Sequence, residues 1–184
     1  AGHLYMEAQV FTPDSRHMLL HRSCHAHGSD RDDPLHQYLL CDLADNCRLT
    51  PVTTETGVTA PSISPDGRYV YYFVNETRLN GGRLTLKRVN LDGTDRRDIL
   101  VLDTPVEQGA GHLTGIYPLS TISSDGQRLA LSAFMGDGWR ENAPYCLMVF
   151  DLQAARVNLV LAGDTLCNIH PQYCRSLDPA AARD

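Results

Sequence analysis

One short turn recurs along this chain at nearly constant spacing. The stretches VFTPDSRHMLLH, SISPDGRYVYYF and TISSDGQRLALSAF each place an aspartate, Asp14, Asp66 or Asp125, in a polar turn between two apolar stretches. A weaker fourth copy, HPQYCRSLDP, has Asp178 in register, and the spacings are 52, 59 and 53 residues. A period of this size, with several short strands in each unit, is typical of the blades of a β-propeller.

The sequence around each turn predicts four strands in each repeat. Short apolar stretches precede and follow the turn, and two more follow after polar hairpin sequences such as DLADN and NLDGTD. Tyr, Val, Phe and Ile favour strands, and an Asp-Gly pair favours a tight reversal. We therefore predict four-stranded antiparallel blades at residues 4–53, 58–102 and 117–161, and the start of a fourth blade at 169–184. A β-sandwich is the alternative, but it does not require the same turn in phase four times.

About three and a half blades are too few to close a propeller, because closed propellers have roughly 4–8 blades. An open one would leave unpaired strand edges, which promote aggregation. We therefore expect the chain to form roughly the N-terminal half of a larger propeller. Its partner would be the remaining blades, in a second chain or in further sequence.

The composition argues against two classes of partner. The net charge is −6, whereas general nucleic-acid binding requires many Lys and Arg to neutralise phosphates. No apolar run approaches the roughly 20 residues that span a bilayer. We expect neither a nucleic-acid partner nor a membrane span.

Two features indicate an oxidising compartment. The six cysteines form an even set, and Cys41 and Cys47 flank a predicted hairpin loop where a disulfide is sterically reasonable. The triplet NET at Asn75 fits the N-glycosylation pattern. Together they predict a secreted or periplasmic protein, with buried free thiols as the alternative.

The repeat resembles that of TolB-type propellers, which centres on a Ser-Pro-Asp-Gly turn, and the resemblance covers nearly the whole chain. The segment LCNIHPQYCRSLDP also resembles the stretch that opens a central blade in oligogalacturonate lyase-like proteins. The second resemblance implies a seven-bladed polysaccharide lyase that cleaves uronate-containing oligosaccharides by β-elimination. It also implies bound manganese, with most ligands and the base in blades beyond Asp184, so the chain is an enzyme only if those blades carry them. A non-catalytic TolB-like scaffold is the alternative.

The repeat places the Asp-Gly turns on one face of the propeller and most other connections on the opposite face. Ligands bind preferentially on such variable loops. Candidate metal ligands there are His25 and His27, in a loop rich in His and Asp that can equally be a solvated surface loop. Candidate contacts to an acidic oligosaccharide, through cationic groups and one ring for stacking, are Arg78, Arg83, His112, Trp139, Arg140 and His170. Packing between blades is the alternative role for Trp139 and His170.

Overall fold

The computed structural model describes residues 7–23, 35–78, 82–106, 111–136, 144–166, 169–176, 178 and 180. Within these residues the chain forms eleven strands in three antiparallel sheets and no helix. Each sheet is a meander in which strands adjacent in sequence are paired. The all-β prediction and the antiparallel blades are therefore confirmed.

The first sheet contains β1 (His17–Arg22), β2 (Gln37–Asp42) and β3 (Arg48–Pro51). An innermost fourth strand is barely formed. Among the described residues, its one bridge to β1 joins Phe11 and Met18. The carbonyl of Gln9 accepts a hydrogen bond from Ile63 N (2.8 Å) in the second sheet, while that of Val10 accepts one from Leu19 N (2.8 Å) in β1.

The second sheet contains β4 (Val58–Ile63), β5 (Tyr69–Asn75), β6 (Leu84–Asn90) and β7 (Arg97–Leu102). The third contains β8 (Leu113–Ile122), β9 (Arg128–Met135), β10 (Tyr145–Asp151) and β11 (Arg156–Gly163). The fourth repeat begins at residues 169–176, which carry no strand assignment. They lie against the third sheet, where Ser132 Oγ donates to Ile169 O (2.5 Å) and Tyr173 N donates to Thr121 Oγ1 (3.1 Å).

The three repeated turns share one geometry. In each, aspartate Oδ1 accepts one hydrogen bond from the hydroxyl two residues earlier and one from the backbone N–H two residues later. The hydroxyl bonds are 2.6, 2.6 and 2.5 Å long for Asp14, Asp66 and Asp125, and the N–H bonds are 3.0, 3.1 and 2.9 Å. The second hydrogen bond closes the turn, so the aspartate is needed for its shape.

The turns also lie side by side. A Cβ on Gly67 would stand 2.8 Å from Pro13 Cδ in the preceding turn, and one on Gly126 would stand 3.5 Å from Pro65 Cδ. We call this side, formed by the three Asp turns, the turn face. The opposite side, where β1 connects to β2, β5 to β6 and β9 to β10, is the loop face. The predicted placement of the turns on one face is confirmed.

Two apolar clusters fill the spaces between sheets. Neighbouring residues of β5 point to opposite sides, so Tyr72 packs with Leu19 and Tyr38 of the first sheet while Phe73 packs with Phe150 of the third. The Phe73 and Phe150 rings meet edge to face, with 5.2 Å between centroids. Each such buried aromatic contributes about 1.5–3 kcal/mol through removal of apolar surface from water.

Two expectations about the compartment do not hold in the fold. Cys41 and Cys47 are free thiols, and burial, followed by contact with Cys47, raises the pKa of Cys41. Asn75 is buried within β5, where its Oδ1 accepts hydrogen bonds from Thr77, and its Nδ2 is inaccessible to solvent. A glycan cannot be attached to that nitrogen in this fold. Among the described residues, no helix is both long and apolar enough to cross a membrane.

Candidate functional site

The sequence-predicted residue with the best-defined surroundings is His170. Its ring lies 4.8 Å from that of Tyr117 on β8, and its Nδ1 lies 3.7 Å from Glu7 Oε1. Gln172 Nε2 donates to the backbone carbonyl of Glu7 at 3.4 Å. We call Glu7, Tyr117, His170 and Gln172 the His170 cluster. It joins the innermost segments of the first, third and fourth repeats.

The His170 cluster combines three kinds of group that a sugar acid can use. The imidazole can donate to a carboxylate or accept a proton, the Tyr117 ring offers an apolar face, and the Gln172 amide can hydrogen-bond to hydroxyls. The His170 and Glu7 side chains are 30% and 41% exposed, so both are accessible to a ligand. A bound carboxylate would compete with Glu7 for the imidazole.

Arg83 and His112, two of the other described candidates, make contacts within their own repeats. Arg83 Nε lies 3.8 Å from Glu76 Oε2, and Arg83 O accepts a hydrogen bond from Glu76 N across the end of the β5–β6 hairpin. His112 O accepts a hydrogen bond from Gly136 N (2.9 Å). Arg78 is exposed just beyond β5. These contacts do not bring Arg83 or His112 to His170.

The remaining predicted residues, His25, His27, Trp139 and Arg140, lie outside the described residues. Within the described part of the chain, no group of three or more His, Cys, Asp or Glu side chains is arranged to hold a metal ion. The described residues therefore do not supply a ligand set for the manganese that the resemblance implies.

Sequence reasoning missed one pair of histidines on the loop face. The His21 and His36 rings lie 4.2 Å apart between centroids at 56°, and the His21 ring lies 5.5 Å from that of Tyr38. Burial, followed by the charge of His36, lowers the pKa of His21 to about 4. The pairing of β1 with β2 sets His21 opposite Tyr38, two residues after His36. A correctly predicted register for these two strands would therefore have revealed the pair.

A separate pocket of about 300 Å³ opens on the turn face, opposite the predicted site. It takes its walls from four successive repeats: Phe11, Thr12, Pro13, Ser15, Ser64, Pro65, Ile122, Ser124 and Arg175. The Thr12 and Ser64 hydroxyls in this wall donate to Asp14 and Asp66. They are thus committed to turn structure, and we assign the pocket no role in the predicted chemistry.

A second polar network also has a structural role. Tyr72 Oη donates to Glu55 (3.1 Å), and Arg96 Nη2 donates to the carbonyl of Val52 (2.9 Å). Lys87 Nζ lies 3.5 Å from Glu55 and 2.5 Å from Asp98. These bonds tie the connection between the first and second sheets to the outer strands of the second. Burial, followed by the charge of Glu55, raises the pKa of Tyr72, so its hydroxyl stays protonated.

Comparison with solved structures finds propellers of similar fold. An oligogalacturonate lyase from Vibrio parahaemolyticus superimposes with a TM-score of 0.63 at 20% identity, over 89% of this chain and 41% of that one. An oligogalacturonate lyase in complex with manganese gives 0.67 at 21% identity, over 94% and 43%. A putative TolB from Agrobacterium tumefaciens gives 0.57 at 18% identity, over 83% and 47%.

These similarities establish a TolB-like and oligogalacturonate lyase-like propeller fold. The chain spans less than half the length of each of the three structures. No family model matches the chain, and no curated protein matches it.

Proposed function

We propose that this chain is part of a carbohydrate-active propeller that binds uronate-containing oligosaccharides on its loop face and cleaves them by β-elimination. The observation that carries the proposal is the His170 cluster, in which an imidazole, an aromatic ring and an amide converge near the propeller axis. The similarity of fold to two oligogalacturonate lyases supports it.

β-Elimination requires two chemical contributions from the protein. The uronate carboxylate must be neutralised so that the C5 proton becomes acidic, and a base must then remove that proton. His170 can serve the first need as a donor to the carboxylate, with Tyr117 packed against the sugar ring. We propose Arg78, Arg83, His112, Trp139 and Arg140 as further contacts to the saccharide. We assign no base within this chain.

The steps proposed for these residues do not involve a metal ion. One of the lyase structures is a complex with manganese, and such a cation would supply electrostatic neutralisation of the carboxylate. His25 and His27 remain proposed ligands, whereas the described residues provide no set of three. We propose that the remaining blades supply the rest of the site, including the base.

A secreted or periplasmic location is part of the proposal. It rests on the even number of cysteines and draws no support from Cys41 and Cys47, which are free thiols, or from the buried Asn75.

The alternative is a non-catalytic binding scaffold of the TolB kind, supported by the similarity of fold to a putative TolB structure. The two functions separate in one experiment on the intact protein, with oligogalacturonate as the probe. Binding should be measured by calorimetry, and cleavage by the ultraviolet absorbance of the unsaturated product. Binding with cleavage supports the lyase, and binding without cleavage supports the scaffold.

His170→Gln should weaken oligogalacturonate binding by about tenfold to a hundredfold, because loss of one charged hydrogen bond costs about 1.5–3 kcal/mol. His17→Gln is the control, since His17 lies on the turn face beside Asp42. Arg140→Ala tests the proposed rim of the site in the same way. If wild type fails to bind the oligosaccharide, or if His170→Gln binds and cleaves as wild type does, the proposed site is wrong.

A further inference from the structure

Four of the eight histidines in this chain lie between positions 21 and 36. His21 and His36 mark the two ends of the connection between β1 and β2. The strand register sets His21 opposite Tyr38. His36 is two residues before Tyr38 and therefore lies on the same side of the sheet as His21. The distance of 4.2 Å between the centroids of the two rings agrees with this placement.

The His21 imidazole carries an unusual polar atom. His21 Nε2 is buried and makes no hydrogen bond within the part of the chain that the structure describes. Buried nitrogen atoms are nearly always hydrogen-bonded, and an unseen water or ion is one explanation of an exception. His36 beside it is only 4% exposed. The Nε2 atom of His21 and the side chain of His36 are thus both shielded from solvent at the same point.

A metal ion binds the lone pair of a neutral imidazole nitrogen. The buried Nε2 of His21 and the ring of His36 beside it are therefore the groups that this pair offers to a cation.

We propose that His21 and His36 bind a late first-row divalent cation, such as Zn²⁺, Co²⁺, Ni²⁺ or Cu²⁺, with water completing its coordination. Imidazole nitrogen favours these ions, whereas Mn²⁺, Mg²⁺ and Ca²⁺ favour oxygen ligands. A zinc–nitrogen bond is about 2.0–2.1 Å long, and rings in contact at 4.2 Å can reach one ion by small rotations. The site is formed by other residues than His25 and His27, the ligands proposed above, and does not rest on the proposed function.

Such an ion would bridge β1 to the residue that precedes β2. Leu19 and Tyr38, on the same two strands, belong to the apolar cluster between the first two sheets. A cation bound only to the folded state stabilises that state by mass action. The site therefore predicts a thermal midpoint that rises when Zn²⁺ is added.

The test uses the intact protein after removal of metals with a chelator. Zn²⁺ is titrated by calorimetry, Co²⁺ by its visible absorption, and Mn²⁺ as the comparison ion. The variants are His21→Asn and His36→Gln. His17→Gln is the matched control, because His17 lies on the same strand but contacts Asp42, 3.5 Å away. Circular dichroism of the metal-free proteins checks that each variant is folded.

Wild type and His17→Gln should bind one Zn²⁺ per chain and gain thermal stability. Both pair variants should lose at least about tenfold in affinity, since removal of even an outer-shell partner costs about 10–100-fold. A ring-nitrogen NMR shift at His21 on addition of Zn²⁺ to wild type gives the same answer without any variant.

Three results would overturn the proposal. The first is Zn²⁺ binding that is unchanged in both pair variants, or absent from wild type. The second is tighter binding of Mn²⁺ than of Zn²⁺. The third is a loss confined to a His25→Ala, His27→Ala double variant, which would place the ion in the connection and away from the pair.

Discussion

Asp42 shows how a single carboxylate can connect two strands and a turn. Arg16 donates to it through Nε at 3.2 Å and Nη2 at 2.9 Å, and Ala44 N donates at 3.0 Å. The hydrogen bond from Arg16, which outweighs desolvation, lowers the pKa of Asp42 to about 2. The carboxylate is ionised in the folded state at pH values where the unfolded chain has begun to bind a proton.

Asp42→Asn should therefore lower the thermal midpoint at pH 7, and its effect should shrink as pH falls. A depressed carboxyl pKa contributes stability above the unfolded value of about 3.9. That contribution is lost between about pH 4 and the folded value of about 2. Asp45→Asn is the control from the same hairpin, because the Asp45–Arg48 pair is largely exposed and exposed pairs contribute little. Equal pH profiles for wild type and Asp42→Asn would contradict the assignment.

At the scale of an element, the repeated turns differ in how tightly they pack. Gly67 and Gly126 both have φ +71, yet only at Gly67 would a Cβ come within 2.8 Å of a proline in the preceding turn. At Gly126 the corresponding distance is 3.5 Å, an ordinary contact. The two positions therefore separate the cost of backbone strain from the cost of crowding between repeats.

Alanine at either glycine should destabilise the protein by about 1–2 kcal/mol, the cost of a left-handed conformation for a residue with a Cβ. Gly67→Ala should lose about 1–3 kcal/mol more, the usual cost of overpacking. Urea unfolding of the two variants and wild type measures the difference. If Gly126→Ala is as damaging as Gly67→Ala, the turns do not press on each other as described.

Much of the structure of the strands and turns could be predicted from the sequence, because each meander is specified by residues close together in the chain. The apolar stretches and Asp turns predicted the pairing order and the common turn face. The innermost strand of the first sheet was not predictable in its reduced form, since Gln9 bonds to Ile63, 54 residues away in sequence. The contact between His21 and His36 was missed for a similar reason, because it depends on the register with which β1 pairs with β2. The spacing of His25 and His27 can be seen in the sequence alone, so those two residues were predicted as metal ligands.

At the scale of the whole molecule, consecutive repeats are joined by polar bonds near the axis as well as by apolar packing. Ser62 Oγ and Ser120 Oγ lie 2.8 Å apart, and Ser120 Oγ donates to Ala60 O at 2.8 Å. Both serines are fully buried. Such bonds specify how one sheet sits against the next, because a buried hydroxyl without its partner is costly.

Gln9 links the most distant pair of complete repeats. Its side chain acts like a neighbouring strand, since Nε2 donates to Ile122 O (3.0 Å) and Oε1 accepts from Ile122 N (2.7 Å). Gln9 and Ile122 are 4% and 1% exposed, so water cannot replace these bonds. The first and third repeats should consequently unfold together rather than one at a time.

Gln9→Leu should lower the free energy of unfolding by about 2–6 kcal/mol, because it leaves two buried backbone groups of Ile122 unpaired at about 1–3 kcal/mol each. It should also split the unfolding transition, with amide exchange accelerating first in β1 and β2. Gln172→Leu is the control, since that exposed side chain makes one long bond of 3.4 Å to Glu7 O, and exposed substitutions change stability by about 0.5 kcal/mol or less. Urea unfolding and hydrogen exchange measure both effects. A single unchanged transition in Gln9→Leu would mean that apolar packing alone couples the repeats.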